Sequence, residues 1–145
     1  MKTPKIYFTD TGLLCYLLGI YNEQTLAIHP LRGEIFENLI FIELLKHFSN
    51  KGMAQDVSFW RDNHKTEIDF ILEVHSGYTA IESKSGMNFH ASYTNNLRKY
   101  KTYNPAPTSL FLVYDGDLDR SQDEIQIVNW RKMMKRVFNT DQGSE

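Results

Sequence analysis

The chain has little cysteine and no long apolar run, and each shortage excludes a class of protein. Among its 145 residues, Cys15 is the single cysteine, so no internal disulfide can form and we expect a reducing, cytoplasmic location. No apolar run approaches the roughly 20 residues that a membrane-spanning helix needs, so no membrane partner is expected. The start is also too polar for a signal peptide, because IYFTDTG follows the two lysines Lys2 and Lys5.

An excess of charge of one sign is also missing. Sixteen basic and 18 acidic residues give a net charge of −2, so nucleic-acid binding would need a local basic patch. The P-loop pattern, G-x-x-x-x-G-K followed by Ser or Thr, does not occur, so we expect neither an ATP site nor ATPase activity in this chain. The five histidines are scattered without partners at metal-ligand spacing, which argues against a zinc site.

The composition suits one ordinary domain, because a hydrophobic content of 41% can bury a core without disulfides or bound metals. We divide the chain into an apolar segment at residues 1–30, a main domain at residues 31–138 and a disordered tail at residues 139–145. The first segment is expected to pack on the core or on a missing upstream region. We therefore expect the natural polypeptide to be longer than this chain.

Hydrophobic periodicity predicts alternating helices and strands. The apolar helix GLLCYLLG follows the cap candidates Asp10 and Thr11 and ends at Gly19. The later elements are predicted in this order: a loop at 21–30, a helix at 31–48, strands at 56–62, 66–74 and 78–84, a helix at 91–103, a strand at 108–115, a loop at 116–123, a strand at 124–130 and a helix at 131–138. This order indicates an α/β domain with a mixed central sheet of four to five strands flanked by helices.

Charged side chains on two of the predicted strands suggest a metal site. Strand alternation places Glu82 and Lys84 on one face and Ser83 on the other, so we assign Ser83 no role. A short hairpin would set Asp69 of the preceding strand beside Glu82. Two such carboxylates can bind Mg²⁺ or Mn²⁺ with waters completing the shell, and a lysine beside them can stabilise phosphoryl charge. Asp69 and Glu82 are therefore the predicted metal ligands.

Glu37 extends this set from the long helix, where it shares a stripe with apolar residues that should meet the sheet. A buried carboxylate is costly unless it is paired, hydrogen-bonded or bound to metal. The predicted catalytic residues are thus Glu37, Asp69, Glu82 and Lys84. The alternative is a set of ordinary charges on an exposed sheet face with a solvated Glu37, because an isolated (D/E)xK triplet arises by chance about once in such a chain.

A basic and aromatic stretch in the helix at 91–103 offers a possible phosphate contact. Arg98, Lys99 and Lys101 alternate there with tyrosines, a combination that can follow a nucleic-acid backbone. The alternative is an amphipathic helix whose tyrosines pack and whose basic side chains are solvated.

Four segments in order carry a resemblance to a known family: KIYFTDTGLLCYLLG, LRGEIFENLIFIELLK, FWRDNHKTEIDFIL and AIESK. Over about residues 5–113 the chain resembles the C-terminal domain of a large family of bacterial and archaeal AAA-type ATPases. That domain, long classed as of unknown function, follows a P-loop ATPase and a winged-helix segment, and it resembles PD-(D/E)XK nucleases. The resemblance implies a restriction-endonuclease-like three-layer core, with Glu37, Asp69, Glu82 and Lys84 at the matching motif positions.

The same resemblance implies partners and a function. Gly33, Trp60, Arg61 and Glu67 also match the family pattern, and Arg61 is an implied phosphate contact. The implied function is that of a Mg²⁺-dependent nuclease or nucleic-acid-processing domain that acts on DNA or RNA beside an upstream ATPase region. The alternative is a catalytically silent module that docks or oligomerises that ATPase, which the near-neutral charge and the apolar first segment favour.

Overall fold

A six-stranded mixed sheet with helices on both faces forms the α/β fold of this chain. The computed structural model describes residues 4–53 and 56–138, and the tail predicted at residues 139–145 lies outside them. The helices are α1 (Thr11–Leu17), α2 (Glu23–Ile28), α3 (Arg32–Asn50), α4 (Asn95–Tyr103) and α5 (Met133–Phe138). The strands are β1 (Val57–Arg61), β2 (Glu67–Val74), β3 (Gly77–Lys84), β4 (Thr108–Tyr114), β5 (Arg120–Gln122) and β6 (Ile125–Asn129).

The strands follow the order β1-β2-β3-β4-β6-β5 across the sheet. The first three form an antiparallel meander, β4 lies parallel to both β3 and β6, and β5 pairs antiparallel with β6. A parallel neighbour requires a crossover, and α4 supplies it between β3 and β4. The predicted mixed sheet with flanking helices is therefore confirmed.

One strand more than the predicted maximum of five is present, because part of the predicted loop at 116–123 is β5. Its three residues are polar and mostly exposed, so they carry no apolar alternation. The hairpin to β6 turns at Asp123 and Glu124, whose φ angles are 50° and 66°, as in the turns that suit a two-residue hairpin.

Apolar side chains form one core on each face of the sheet. Helices α3 and α5 cover one face, where Ile40 and Leu44 have no exposed surface. Helix α4 covers the other face, and its Tyr100 packs against Trp60, as the amphipathic interpretation of this helix expects. Strand β4 is buried from Leu110 to Tyr114, as predicted for an interior strand. Within the described part of the chain, no helix has the length and apolar character to cross a membrane.

Helix boundaries agree with the sequence at several points. The α3 helix ends two residues beyond the predicted 31–48, and the Asp10 carboxylate caps α1 by accepting from the Leu13 N–H at 3.0 Å. The predicted loop at 21–30 is wrong in part, because it contains α2, which Asn22 caps. The predicted helix at 91–103 begins with a 3₁₀ turn, Ala91–Thr94, before α4.

The extended residues before α1 lie along α3. Asn38 of α3 accepts from the Phe8 N–H at 2.8 Å and donates to the Phe8 carbonyl oxygen at 3.1 Å. The Tyr7 ring stacks on Phe41 with 4.2 Å between centroids. The segment is therefore held beside the turn of α3 that carries Glu37.

Candidate functional site

A β-bulge in β2 sets the position of Asp69. In the pairing of β1 with β2, Ser58 lies opposite Ile71 and Trp60 lies opposite Ile68. Between these two pairs β2 has two residues where β1 has one, and the extra residue bends the strand and redirects its side chains. As a result Ile68 and Ile71 both pack in the core under α4, whereas regular alternation would place them on opposite faces.

The bulge brings Asp69 to Ser83, which corrects the face assignment made from the sequence. Asp69 Oδ2 accepts from the Ser83 N–H at 2.8 Å and from the Ser83 hydroxyl at 2.7 Å. Alternation in β3 holds as predicted, because Ile81 packs in the core under α3 and Ala80 packs in the core under α4. The sequence did not predict that Asp69 turns to the Ser83 side, because that prediction assumed unbroken alternation in β2. Regular pairing between β2 and β3 instead ends at Phe70 and Ile81. Ser83 therefore fixes one carboxylate oxygen of Asp69 and leaves Oδ1 for another partner.

Lys5 lies among the carboxylates of Glu37, Glu67 and Asp69, which together form the acidic cluster. Its Nζ is 2.7 Å from Glu37 Oε1 and 3.5 Å from Asp69 Oδ1, and it also pairs with Glu67. The hydroxyl of Tyr7 donates to the same Glu37 oxygen at 2.6 Å. The N-terminal segment thus contributes a cation and a hydroxyl to the predicted site.

Charge and burial oppose each other in this cluster. Burial alone would lower the pKa of Lys5, but its hydrogen bonds to Glu37 and Glu67 and the charge of Asp69 raise it to about 12. Burial raises the pKa of Glu37, and the charge of Asp69 raises it further, while the hydrogen bond from Lys5 opposes both. Lys5 therefore stays charged at neutral pH and partly neutralises the carboxylates around it.

Glu82 is almost fully buried, with 2% of its surface exposed. Its Oε1 accepts from Lys84 Nζ at 2.7 Å and from the Asn96 amide of α4 at 3.2 Å. Its Oε2 has no hydrogen-bond partner among the residues described. Burial and then the charge of Asp69 raise the pKa of Glu82 to about 7, although Lys84 and Asn96 oppose the shift.

Three of the four predicted catalytic residues share one cleft at the end of β3, and the fourth contacts one of them. Glu37, Asp69 and Lys84 line a cleft of about 290 Å³, and Glu82 meets it through its contact with Lys84. Burial alone would lower the pKa of Lys84, but the charge of Glu82 and the hydrogen bond between them raise it. Lys84 therefore offers a persistent positive charge to this cleft.

Two carboxylate oxygens are the candidates for binding a hard divalent cation. Glu82 Oε2 is buried without a partner, and Asp69 Oδ1 remains after Ser83 has taken Oδ2. Carboxylate oxygens with added water are what Mg²⁺ prefers. Across residues 4–53 and 56–138, no three His, Cys, Asp or Glu side chains are grouped so that they could hold one metal ion. Metal binding by Asp69 and Glu82 stays a prediction.

Arg61, the implied phosphate contact, is held by Glu67 across β1 and β2. Its Nε lies 2.7 Å from Glu67 Oε2, and 41% of its side chain is exposed. Burial would raise the pKa of Glu67, but hydrogen bonds from Lys5 and Arg61 lower it. Arg61 thus stands beside the acidic cluster, where it already has an anionic partner.

The predicted phosphate contacts on α4 lie on its exposed side. Arg98 pairs with Asp123 at 2.7 Å, Lys101 pairs with Glu124, and Lys99 is exposed. Exposed pairs of this kind contribute little free energy, so their basic members can exchange one anionic partner for another. Among the described residues, neither of these two ion pairs involves a residue that lines the cleft.

Sequence reasoning missed several residues that hold the site together. Lys5 and Tyr7 contact Glu37, Ser83 contacts Asp69, and none of the three was assigned a role. A signal for the first two existed, because residues two apart in an extended segment share a face. The role of Ser83 depends on the bulge in β2, for which a single sequence gives no clear sign.

Comparisons with known proteins place the chain among uncharacterised relatives. Residues 32–133 match the family described as "Domain of unknown function (DUF4143)". The chain is also similar to the uncharacterized proteins Rv2008c of Mycobacterium tuberculosis and Mb2031c of Mycobacterium bovis, with 32% identity to each over 73 residues. The aligned region covers 50% of this chain and 16% of either relative. The chain therefore matches only a small part of the length of these relatives.

Proposed function

This chain belongs to the DUF4143 family, and we propose that it is a Mg²⁺-dependent, nuclease-like domain that hydrolyses phosphodiester bonds in DNA or RNA. The observation that carries the proposal is the buried Glu82, which has an oxygen without a partner in the described structure and a lysine at its other oxygen. Burying such a carboxylate is costly. A bound cation would offset that cost. It would also offset the negative charge of Asp69, which raises the pKa of Glu82.

Each residue of the site has a role in this proposal. Asp69 Oδ1 and Glu82 Oε2 would hold the cation, which when bound supplies Lewis-acid stabilisation and a water of lowered pKa. Lys84 keeps its positive charge and stabilises negative charge on the phosphoryl oxygens. Glu37, held by Lys5 and Tyr7, is positioned to accept a hydrogen bond from water in the cleft.

The restriction-endonuclease-like core belongs to the same proposal. Helix α3 precedes the antiparallel meander β1–β3, and α4 then crosses to the parallel strand β4. This order of elements supports the assignment because it puts the acidic residues of α3, β2 and β3 at one end of the sheet.

A cleavage assay on the purified chain tests the proposal. Single-stranded, duplex and branched DNA and RNA are incubated with Mg²⁺ or Mn²⁺, with or without EDTA. Cleavage should depend on the cation and fall by about 10²-fold or more in Asp69→Asn and in Lys84→Met, because each removes a charge that acts on the transition state. Glu43→Gln, which changes an exposed pair of α3, should cleave like the unmodified chain.

Three results would count against a nuclease at this site. Cleavage that survives EDTA would point to another activity in the sample. Equal cleavage by Asp69→Asn, Lys84→Met and the unmodified chain would place the chemistry elsewhere. No cleavage of any substrate would favour the second function.

The second function is that of an oligomerisation module, which exposed apolar side chains on the N-terminal segment and the first two helices favour. Their exposed fractions lie between 50% and 86%, and the residues are Ile6, Leu13, Tyr16, Leu17, Tyr21 and Ile28. Exposed apolar side chains can mark an interface when they form one patch. Light scattering should then give a mass above the 17.0 kDa of one chain. The substitution Ile28→Glu should lower that mass to the mass of one chain. A single-chain mass at every concentration would contradict this function.

A further inference from the structure

The position of Lys5 has a consequence for any cation that binds the acidic cluster. Ser83 occupies Asp69 Oδ2 through two hydrogen bonds, and the remaining oxygen, Oδ1, lies 3.5 Å from Lys5 Nζ. The Lys5 side chain is only 16% exposed. The oxygen of Asp69 that a metal would use is therefore the one that the Lys5 ammonium already contacts.

We propose that Lys5 is a tethered cation that competes with a divalent metal ion for Asp69 and must move away before the ion can bind. This inference rests on the proposed function, because it concerns the metal site assigned there. It adds a residue and a form of control to that site: the N-terminal segment limits access of the metal.

Electrostatics explains why the two cations exclude each other. Glu37, Glu67 and Asp69 repel one another across a half-buried space, and the Lys5 ammonium reduces that repulsion. A divalent ion at Asp69 Oδ1 would stand within a few ångströms of this ammonium, and repulsion between charges at such a distance weakens binding even in water. The ammonium and the metal therefore compete for this oxygen.

The other basic groups near the cluster do not fill the same position. Lys84 is bound to Glu82 Oε1 at 2.7 Å, and Arg61 is bound to Glu67 on the side of β1. Of these three basic side chains, Lys5 is the one that lies within ion-pair distance of Asp69 among the described residues.

Lys5 belongs to a segment whose other contacts hold it against α3. Tyr7 donates to Glu37, and the backbone of Phe8 makes two hydrogen bonds with Asn38. Metal binding and docking of the Lys5 side chain are consequently linked, and by thermodynamic reciprocity each must weaken the other by the same factor.

Mn²⁺ binding measured by electron paramagnetic resonance on the whole chain tests the inference. Lys5→Met removes the charge and keeps most of the side-chain volume, so its Kd for Mn²⁺ should be about tenfold lower than that of the unmodified chain. Lys46→Met is the matched control, because it makes the same change at an exposed pair with Glu43, and it should leave the Kd unchanged. Equal or weaker binding by Lys5→Met would overturn the inference.

A second measurement needs no variant and so does not depend on whether Lys5→Met folds. The rate at which an N-hydroxysuccinimide ester acylates Lys5 is followed by mass spectrometry, with Lys46, whose side chain is 63% exposed, as an internal reference. Saturating Mg²⁺ should speed acylation of Lys5 relative to Lys46, because displacement exposes the amine. An unchanged or slower relative rate would overturn the inference.

The outcomes separate this inference from the proposed function. Tighter Mn²⁺ binding by Lys5→Met together with no cleavage of any nucleic acid would support the competition and refute the nuclease. Metal-dependent cleavage with equal Mn²⁺ affinity in both chains would support the nuclease and refute the competition. Absence of Mn²⁺ binding to either chain would overturn the inference.

Discussion

Replacing Glu82 with glutamine should change how the stability of the domain depends on pH. Glu82 is 2% exposed, and burial followed by the charge of Asp69 raises its pKa from the ordinary 4.5 to about 7. Glutamine has the shape of the protonated side chain and cannot ionise, so Glu82→Gln removes this titration. Its amide can still accept from Lys84 and Asn96 at Oε1.

The sign and size follow from proton linkage. Between pH 4.5 and pH 7 the folded chain holds a proton on Glu82 that the unfolded chain has released, so the free energy of unfolding falls as pH rises. A tenfold change in proton affinity corresponds to about 1.4 kcal/mol, so the loss is on the order of 3 kcal/mol above pH 7. Measured as variant minus unmodified chain, stability should rise by about this amount from pH 4.5 to pH 8. Any fixed cost of the glutamine amide cancels in this difference.

Urea denaturation at a series of pH values, followed by tryptophan fluorescence, measures the effect. Glu43→Gln is the matched control, since Glu43 forms an exposed pair with Lys46, and its stability difference should vary little with pH. A difference between Glu82→Gln and the unmodified chain that is constant with pH, or that falls as pH rises, would contradict a raised pKa of Glu82.

Two further substitutions test how the site is held, and a third tests the turn between β2 and β3. Ser83→Ala removes the 2.7 Å hydrogen bond to Asp69 and should cost roughly 1–3 kcal/mol in urea denaturation, since the bond is to a charged group; an unchanged midpoint would contradict the role of Ser83. Tyr7→Phe keeps the ring and loses the bond to Glu37, so thermal unfolding should show a loss of about 1–3 kcal/mol, and a neutral effect would show that the bond adds nothing. Gly77→Ala places a Cβ against a neighbouring carbonyl oxygen at a φ of 137°, so it should lose roughly 1–3 kcal/mol in calorimetry, and a stabilised variant would refute the strain.

Most of the fold could be predicted because its elements carry strong hydrophobic patterns. The α3 helix and the buried β4 strand were located within two residues of their ends, since each presents long apolar runs to the two cores. Strand β5 was not predicted, because its three polar residues are placed by pairing with β6 and carry no pattern of their own. Helix α2 was missed although its cap, Asn22, is a recognised start signal, because a helix of six residues has little apolar periodicity.

The contacts among the candidate site residues could be predicted only in part. The sequence placed Glu82 beside Lys84 through strand alternation, and the structure brings the two together at 2.7 Å. The surroundings of Asp69 were not predictable, because a bulge changes which face a side chain meets and depends on pairing with β1. The ion pairs of Lys5 join residues 32 and 64 positions apart, a separation over which periodicity carries no information.

Anomalous diffraction from crystals soaked in Mn²⁺ can locate a cation bound by Asp69 and Glu82. We expect one Mn²⁺ bound by Asp69 Oδ1 and Glu82 Oε2, with Lys5 withdrawn from Asp69. Crystals saturated with Mn²⁺ that show no anomalous peak at these carboxylates, or a peak only elsewhere on the chain, would contradict it.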